Sequence, residues 1–254
     1  MEKILEGKGV TKYFGALKAV DNVDFYVNKG EILGLIGPNG AGKTTLLDLI
    51  NGMHPLSEGK IYYKGKDITS YKPYQVAELG IARTFQIVKP FPGMTVRENV
   101  LVGALFGKQK KSIQMPDALK KVDEVLRLTS LYSKRDLEVE ELTIPDRKRL
   151  ELTRALAMDP EVLLLDEVMA GLNTKEIEEV IKFIHKINNE MAITILVIEH
   201  VMKAIMQISH RIMVLHHGRK IADNSPEKIV NDPRVIEAYL GERYVKKRVK
   251  NESE

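Results

Sequence analysis

The chain has 254 residues, of which 44% are hydrophobic and 29% are charged, as in an ordinary globular protein with one large domain or a core domain and an inserted lobe. No apolar run approaches the roughly 20 residues that a membrane-spanning helix needs, and the N-terminus lacks the apolar core of a signal peptide. The absence of cysteine excludes disulfides and thiolate zinc sites and is consistent with a reducing cytosol.

The net charge of +4 comes from the end of the chain and not from its body. Basic residues in the tail outnumber the whole excess: Arg243, Lys246, Lys247, Arg248 and Lys250. Without them the body is close to neutral, so no nucleic-acid partner is expected. The tail reads as a solvated end, and weak attraction to anionic lipid or RNA is the alternative.

The first part of the chain reads as strands and turns. Two runs of alternating apolar and polar residues over 4–27, broken near Gly15, predict an antiparallel hairpin or a short β-layer. Residues 30–36 form a nearly all-apolar run, typical of a strand buried on both faces. A glycine-rich loop and a predicted helix over 45–51 follow, and residues 60–67 resemble a further edge hairpin.

Helical periodicity replaces this pattern from about residue 88 to residue 159. Apolar residues mark two amphipathic helices, at Leu119, Val122, Val125, Leu126 and Leu128 and at Leu150, Leu152, Ala155 and Leu156. Strand patterns return at 162–165 and 194–198, with a helical pattern between them. Strands that alternate with helices indicate a parallel α/β sheet, so the helical stretch is predicted to be a lobe inserted into that sheet domain.

One glycine-rich loop has the spacing of a phosphate-binding loop, with a strand before it and a helix after it. Its residues are Gly37, Pro38, Asn39, Gly40, Ala41, Gly42, Lys43 and Thr44, with Thr45 beside them. Glycines let backbone N–H groups curl around an anion, Lys43 reaches the β- and γ-phosphates, and the Thr44 hydroxyl can ligate Mg²⁺. The alternative is a plain glycine turn between a strand and a helix. Because there is one such loop, the chain is one half of any two-motor machine.

Acidic residues and a histidine follow two of the predicted strands. Asp166 and Glu167 end the strand at 162–165, and Glu199-His200 ends the strand at 194–198. Ligands bind at this edge of parallel sheets. Asp166 would hold Mg²⁺ through water, Glu167 would polarise the attacking water, and His200 would contact the γ-phosphate or hold the water in line. The alternatives are solvated acids that close a strand and a structural histidine.

Together these segments resemble the ABC ATPase family over nearly the whole chain. The resemblance implies that Phe14 stacks on adenine and that Gln86 senses Mg²⁺ and contacts the membrane partner. Residues 148–157 are similar to the helix after the family signature, and 170–173 occupy the place of the loop that crosses between two motor subunits. The implied fold is a P-loop NTPase core sheet with an N-terminal antiparallel β-layer and an inserted helical lobe.

Residues 80–86 and 232–242 are similar to the ATP-binding subunits of branched-chain amino acid importers. The resemblance implies an ATPase domain over 1–242 with its lobe at 88–159, and a basic tail at 243–254. It implies ATP and Mg²⁺ as cofactors and a place on the inner face of the cell membrane. The implied partners are integral-membrane permease subunits, an identical or homologous second ATPase and, indirectly, a substrate-binding protein. Urea or amide import and lipopolysaccharide export remain alternatives.

The chain departs from the family where the signature Leu-Ser-Gly-Gly-Gln is expected. It has Thr143, Ile144, Pro145 and Asp146 after Leu142. Thr143 keeps a hydroxyl for the partner's γ-phosphate, whereas Pro145 has no N–H and Asp146 adds negative charge. One interpretation is an ordinary helix cap, with Asp146 bonding back to Thr143. The other is weaker ATP-driven pairing, by roughly 1–3 kcal/mol.

Two further features remain open in the sequence. Asn173 replaces the usual aspartate and is expected to cap a helix with Glu176 reciprocating. Residues 87–95, with Phe91 between two prolines, are expected to dock on the membrane partner or else to pack on the chain's own lobe. Rival functions are a soluble ABC-type ATPase that acts on nucleic acid, which would carry two motor domains or a coiled-coil insertion, and a non-hydrolysing regulator.

Overall fold

A six-stranded sheet forms the centre of the fold. The structure, a computed structural model, describes residues 2–85, 90–108 and 113–240. The strands of this sheet are β3 (Ile32–Ile36), β6 (Ile81–Arg83), β7 (Val162–Asp166), β8 (Thr194–Ile198), β9 (Arg211–His216) and β10 (Arg219–Asn224). Their order is β10-β9-β3-β8-β7-β6, and all neighbours are parallel except β10 with β9. The predicted parallel α/β sheet is confirmed.

A second, antiparallel sheet covers one face of the first. Its strands are β1 (Lys3–Phe14), β2 (Leu17–Asn28), β4 (Glu58–Tyr63) and β5 (Lys66–Asp67), in the order β2-β1-β4-β5. The turn between β1 and β2 contains Gly15, whose φ of 59° is a conformation that glycine adopts without strain. Both predicted hairpins are confirmed, and β5 is one of the two edge strands of this sheet.

Three α-helices lie between β6 and β7 in the described part of the chain and form the predicted inserted lobe. They are α3 (Val96–Phe106), α4 (Met115–Leu128) and α5 (Ile144–Ala157). A capping box begins α3, because the Thr95 hydroxyl accepts from the backbone of Glu98 and the Glu98 carboxylate accepts from the backbone of Thr95. The predicted tail at 243–254 lies outside the described residues.

The remaining helices flank the sheets. They are α1 (Lys43–Ile50), α2 (Pro73–Glu78), α6 (Thr174–Met191), α7 (Met202–Ile208), α8 (Pro226–Val230) and α9 (Pro233–Leu240). The predicted cap of α6 is confirmed, since Asn173 Oδ1 accepts from the Glu176 N–H at 3.0 Å and the Glu176 carboxylate accepts from the Asn173 N–H at 2.8 Å. Across the described ranges, no helix combines the length and the apolar character that crossing a membrane requires.

Strand β3 separates two hydrophobic cores. Ile32 and Ile36 pack with the residues of the helical lobe, whereas Leu33 and Leu35 pack with those of the antiparallel sheet. All four side chains are fully buried, because successive residues of a strand point to opposite faces and both faces are covered. The loop that follows β3 therefore leaves the sheet at a rigid, well-anchored point.

Candidate functional site

A cavity of about 860 Å³ opens at the carboxyl edge of the parallel strands. Most of the sequence-predicted nucleotide and catalytic residues line it, namely Phe14, Asn39, Gly40, Ala41, Gly42, Lys43, Thr44, Thr45, Glu167 and His200. The parallel sheet explains this convergence, because β3, β7 and β8 all deliver their following loops to one edge. Gln86 lies outside the described residues.

The glycine-rich loop is built on two close backbone approaches. A Cβ on Gly37 would lie 2.1 Å from the Leu215 carbonyl oxygen, and one on Gly42 would lie 2.3 Å from the Ala19 carbonyl oxygen. Gly42 has a φ of 99° and directly precedes α1, which therefore begins at Lys43, two residues earlier than the sequence predicts. The loop keeps its shape only with glycine at both positions.

Lys43 is folded back onto this loop. Its Nζ donates to the carbonyl oxygens of Gly37 at 2.8 Å and Pro38 at 3.1 Å. The residue is 6% exposed, and burial lowers the pKa of its ammonium group while the carboxylates of Glu167 and Asp166 oppose that shift. Gly37 and Pro38, predicted as binding residues, thus lie beneath the cavity as the supports of Lys43.

Asp166 ends β7 with one carboxylate oxygen held and the other without a partner. Its Oδ2 lies 3.0 Å from Nη2 of Arg83, while its Oδ1 is buried and has no hydrogen-bond partner in the described part of the chain. Burial raises the pKa of Asp166, and the hydrogen bond from Arg83 opposes the shift. Asp166 is not among the residues that line the cavity, whereas Thr44 is. A buried, unpartnered carboxylate oxygen and a threonine hydroxyl are ligand types that Mg²⁺ prefers, so these residues fit that ion.

Glu167 and His200 form a close pair at the cavity wall. His200 Nε2 lies 2.6 Å from Glu167 Oε1. Glu167 has a φ of 52°, a left-handed conformation that is unfavourable for a residue with a side chain, and its N–H donates to the Ile198 carbonyl at 3.0 Å. The backbone of β8 thus helps to hold the carboxylate where β7 ends. Glu167 and His200 thus lie together at one edge of the sheet, as the sequence predicts.

Glu199 lies behind this pair, with a side chain almost wholly buried. Its Oε1 accepts from the Met169 N–H at 2.7 Å. Burial raises the pKa of Glu199 to about 7, and the negative charge of Glu167 adds to the shift. A buried acid with a raised pKa therefore lies next to the Glu167–His200 pair in the chain.

Phe14 lies at the mouth of the cavity with 43% of its surface exposed. His54 meets its ring edge-on at a centroid distance of 5.4 Å, and Lys12 Nζ lies 5.1 Å from the ring centroid. A partly exposed, supported aromatic ring offers a flat apolar surface to a ligand.

Thr143 lies away from this cavity, at the N-terminus of α5. Its hydroxyl accepts from the Asp146 N–H at 3.4 Å and donates to Asp146 Oδ2 at 2.8 Å. The carboxylate thus bonds back to the hydroxyl, and not to the backbone N–H as in a capping box. The same carboxylate contacts Lys134 Nζ, and Arg149 Nη1 lies 3.4 Å from Oδ1. The charge of Asp146 is therefore paired within its own chain.

The sequence did not identify several residues around the loop. Lys18, near the start of β2, and His217, in the turn between β9 and β10, line the cavity. The two segments are joined where the Asp21 N–H of β2 donates to the Gly218 carbonyl of the turn at 2.8 Å. Tyr239 lies in α9, and burial raises the pKa of its hydroxyl while the backbone of Gly37 opposes that shift. None of these residues has a local motif, because distant segments bring them together.

Comparison with known proteins places this geometry in a family. A model described as "ABC transporter" matches residues 20–170, and one described as "Branched-chain amino acid ATP-binding cassette transporter" matches residues 219–245. The high-affinity branched-chain amino acid transport ATP-binding protein LivG of Escherichia coli strain K12 is 38% identical over 252 residues, which cover 95% of this chain and 99% of LivG.

Two solved structures are similar over most of their length. The ADP conformation of MJ1267, an ATP-binding cassette of an ABC transporter, has a TM-score of 0.83 and 31% identity, covering 95% of this chain and all of that one. The dimeric post-hydrolysis state of the ATP-binding cassette MJ0796, bound to ADP and Pi, has a TM-score of 0.79 and 25% identity, covering 87% and 98%. Sequence, fold and cavity geometry therefore identify the chain as a member of the ABC transporter family of ATP-binding cassette ATPases.

Proposed function

We propose that this chain is the ATP-hydrolysing subunit of an ABC importer of branched-chain amino acids. The observation that carries the proposal is the single cavity in which the glycine loop with Lys43 faces the Glu167–His200 pair. The cargo is supported by LivG, whose name assigns it to branched-chain amino acid transport, and by the C-terminal match at 219–245.

In this proposal the nucleotide lies with its adenine on Phe14 and its phosphates over the glycine loop. The cavity volume of about 860 Å³ is within the usual range for small-ligand sites. On binding, Lys43 Nζ exchanges its two carbonyl acceptors for phosphate oxygens. Thr44, Asp166 and Gln86 are the proposed holders of Mg²⁺, which supplies charge neutralisation on the β- and γ-phosphates when bound.

Hydrolysis then depends on Glu167 and His200. The Glu167 carboxylate accepts a proton from water as the water oxygen bonds to the γ-phosphorus and the bond to the ADP oxygen breaks. His200 Nε2 either orients Glu167 through their 2.6 Å contact or turns from it to donate a hydrogen bond to the γ-phosphate or the water. The φ of 52° at Glu167 supports a functional position, since strained backbone is concentrated at active sites.

Pairing with a second ATPase is part of the proposal. The MJ0796 cassette is dimeric in its ADP- and Pi-bound state, which supports pairing here with an identical or a homologous subunit. Thr143 would then face the partner's nucleotide, after its hydroxyl proton turns from Asp146 to the γ-phosphate. Closure around ATP would move membrane-embedded permease subunits, to which the chain binds from the cytoplasmic side.

ATP turnover by the purified chain tests the nucleotide part of this proposal. Lys43→Ala is expected to abolish Mg·ATP binding and turnover, and Glu167→Gln to abolish turnover while binding persists. Glu161→Gln is the matched control, because Glu161 adjoins the opposite end of β7, where it pairs with Lys64 and Lys108. Full turnover in Lys43→Ala would refute the assigned site.

The cargo needs a separate experiment. The complete transporter is reconstituted in liposomes, and uptake of leucine, urea and a short amide is measured with the substrate-binding protein present. Leucine uptake that depends on ATP and on Glu167 supports the proposed import. ATP-dependent uptake of urea or the amide alone would assign the chain to one of the related systems.

A further inference from the structure

Arg83 links two of the elements that form the proposed nucleotide site. It ends β6 with a side chain only 3% exposed, and its Nη1 lies 2.6 Å from Asp48 Oδ1 while its Nη2 lies 3.0 Å from Asp166 Oδ2. Asp48 belongs to α1, the helix that leaves the glycine loop, and Asp166 ends β7. One guanidinium group therefore fixes the spacing between the loop helix and the acid-bearing strand.

Arg83 and Thr84, the residue that follows β6, hold Asp166 at two points. The Thr84 hydroxyl accepts the Asp166 N–H at 3.2 Å, and Arg83 takes the carboxylate Oδ2. Oδ1 is then the carboxylate oxygen left unpartnered among the described residues, and it is buried. A buried carboxylate oxygen without a partner is costly unless a ligand completes it.

We propose that Arg83 is a positioning residue that orients the Asp166 carboxylate so that Oδ1 stays available to the Mg²⁺ of bound Mg·ATP. This inference rests on the nucleotide site proposed above and adds a residue to it. The planar guanidinium is suited to the role, because its nitrogens diverge at a fixed angle and engage two acids at once. Arg83 itself has no contact with substrate in this assignment.

A buried Arg that bridges two acids elsewhere in the fold provides a matched control. Arg211 lies at the start of β9, at the sheet edge opposite the cavity, with its Nε 2.7 Å from Glu31 and its Nη1 2.5 Å from Asp223. Replacing Arg211 removes comparable buried ion pairs and leaves the residues of the proposed nucleotide site unchanged. Any effect shared by Arg83 and Arg211 variants is therefore structural, and an effect confined to Arg83 variants is positional.

The test measures how much Mg²⁺ strengthens nucleotide binding. Dissociation constants for a non-hydrolysable ATP analogue are determined by calorimetry with Mg²⁺ and with EDTA. Arg83→Met is expected to reduce the ratio of the two constants about tenfold, the scale for partners that orient metal ligands. The affinity in EDTA should stay close to that of the wild type, and Arg211→Met should leave the ratio unchanged.

Arg83→Lys keeps the positive charge and tests the positioning role if Arg83→Met does not fold. A lysine ammonium lacks the fixed fork, so we expect a reduced Mg²⁺ ratio in this variant as well. A wild-type ratio in Arg83→Lys, or a loss shared equally by Arg211→Met, would overturn the positioning role. A wild-type chain that binds nucleotide without any effect of Mg²⁺ would refute the proposed Mg·ATP site, and the role of Arg83 with it.

Discussion

At the scale of single residues, Glu199 makes the stability of the fold depend on pH. Burial raises its pKa from 4.5 to about 7, so between these values the folded protein holds a proton that the unfolded chain has released. The free energy of unfolding therefore falls as pH rises through this window and is level above it. Glu151, which accepts the Phe85 N–H at 2.6 Å, has a pKa raised to about 7 for the same reason.

Glu199→Gln should remove the contribution of Glu199 to this pH dependence of the free energy of unfolding. The amide keeps an oxygen for the Met169 N–H and cannot ionise, so the variant should gain roughly 3 kcal/mol over the wild type near pH 8 and little near pH 5. Urea unfolding of the nucleotide-free protein across this range measures the difference. Glu190→Gln, on the exposed face of α6, is the control, and parallel curves for Glu199→Gln and wild type would contradict the prediction.

At the scale of elements, the start of α5 depends on a charge pair that the sequence did not reveal. Burial alone would raise the pKa of Asp146, but hydrogen bonds from Lys134 and Thr143 outweigh it and lower the pKa. The hypothesis that Asp146 repels the partner's triphosphate loses much of its basis, because the carboxylate already has Lys134 as a counter-ion. The missing N–H of Pro145 remains as a reason for weaker pairing.

Lys134→Met should therefore reveal how far the Asp146 carboxylate destabilises the fold when it lacks Lys134. With Lys134 removed and only the longer contact to Arg149 left, the largely buried carboxylate should destabilise the fold by about 1–2 kcal/mol, and Lys134→Met with Asp146→Asn should recover most of this loss. In a Glu167→Gln background, the single variant should also pair less well in ATP than the double variant. Urea unfolding and sedimentation measure the two effects, and additive behaviour of the two substitutions would disprove the coupling.

Elements with strong local patterns were predictable, and elements defined by pairing were not. The glycine loop, the apolar strands β3, β7 and β8, and the caps of α5 and α6 follow from spacing and residue type alone. Strand β6 has three residues, too few to show a period, and it exists through pairing with β7. The apolar run in β9 has the same pattern as β3 and was therefore predictable by the same criterion.

The same distinction explains the site. Lys43, Glu167 and His200 each end or follow a recognisable strand, so a parallel sheet brings them to one edge. Arg83 stands in a segment already singled out, but its partners lie 35 and 83 residues away along the chain. Only the structure shows that its charge is paired inside the fold, with Asp48 of α1 and Asp166 of β7.

At the scale of the whole molecule, the loop that carries Phe91 has a backbone held by hydrogen bonds and an exposed aromatic ring. Asn99 holds its backbone, because the Phe91 N–H donates to Asn99 Oδ1 at 2.8 Å and Asn99 Nδ2 donates to the Phe91 carbonyl at 3.2 Å. The ring is 41% exposed, and the Arg154 guanidinium lies 5.1 Å from its centroid. The loop can therefore pack on its own lobe through the backbone of Phe91 and also dock on a membrane partner through the exposed ring.

Phe91→Asp should uncouple transport from ATP hydrolysis while the subunit stays folded. The new carboxylate has Arg154 as a neighbour, so the loop keeps a partner, whereas an apolar surface offered to the permease becomes charged. ATP turnover by the isolated subunit should match the wild type, and co-purification with the permease and leucine uptake should be lost. Phe106→Asp, at the far end of α3 and 63% exposed, should leave all three unchanged. Normal assembly of Phe91→Asp with the permease would mean that this loop serves only its own lobe, because burying the new carboxylate in an apolar contact carries a desolvation penalty even with Arg154 beside it.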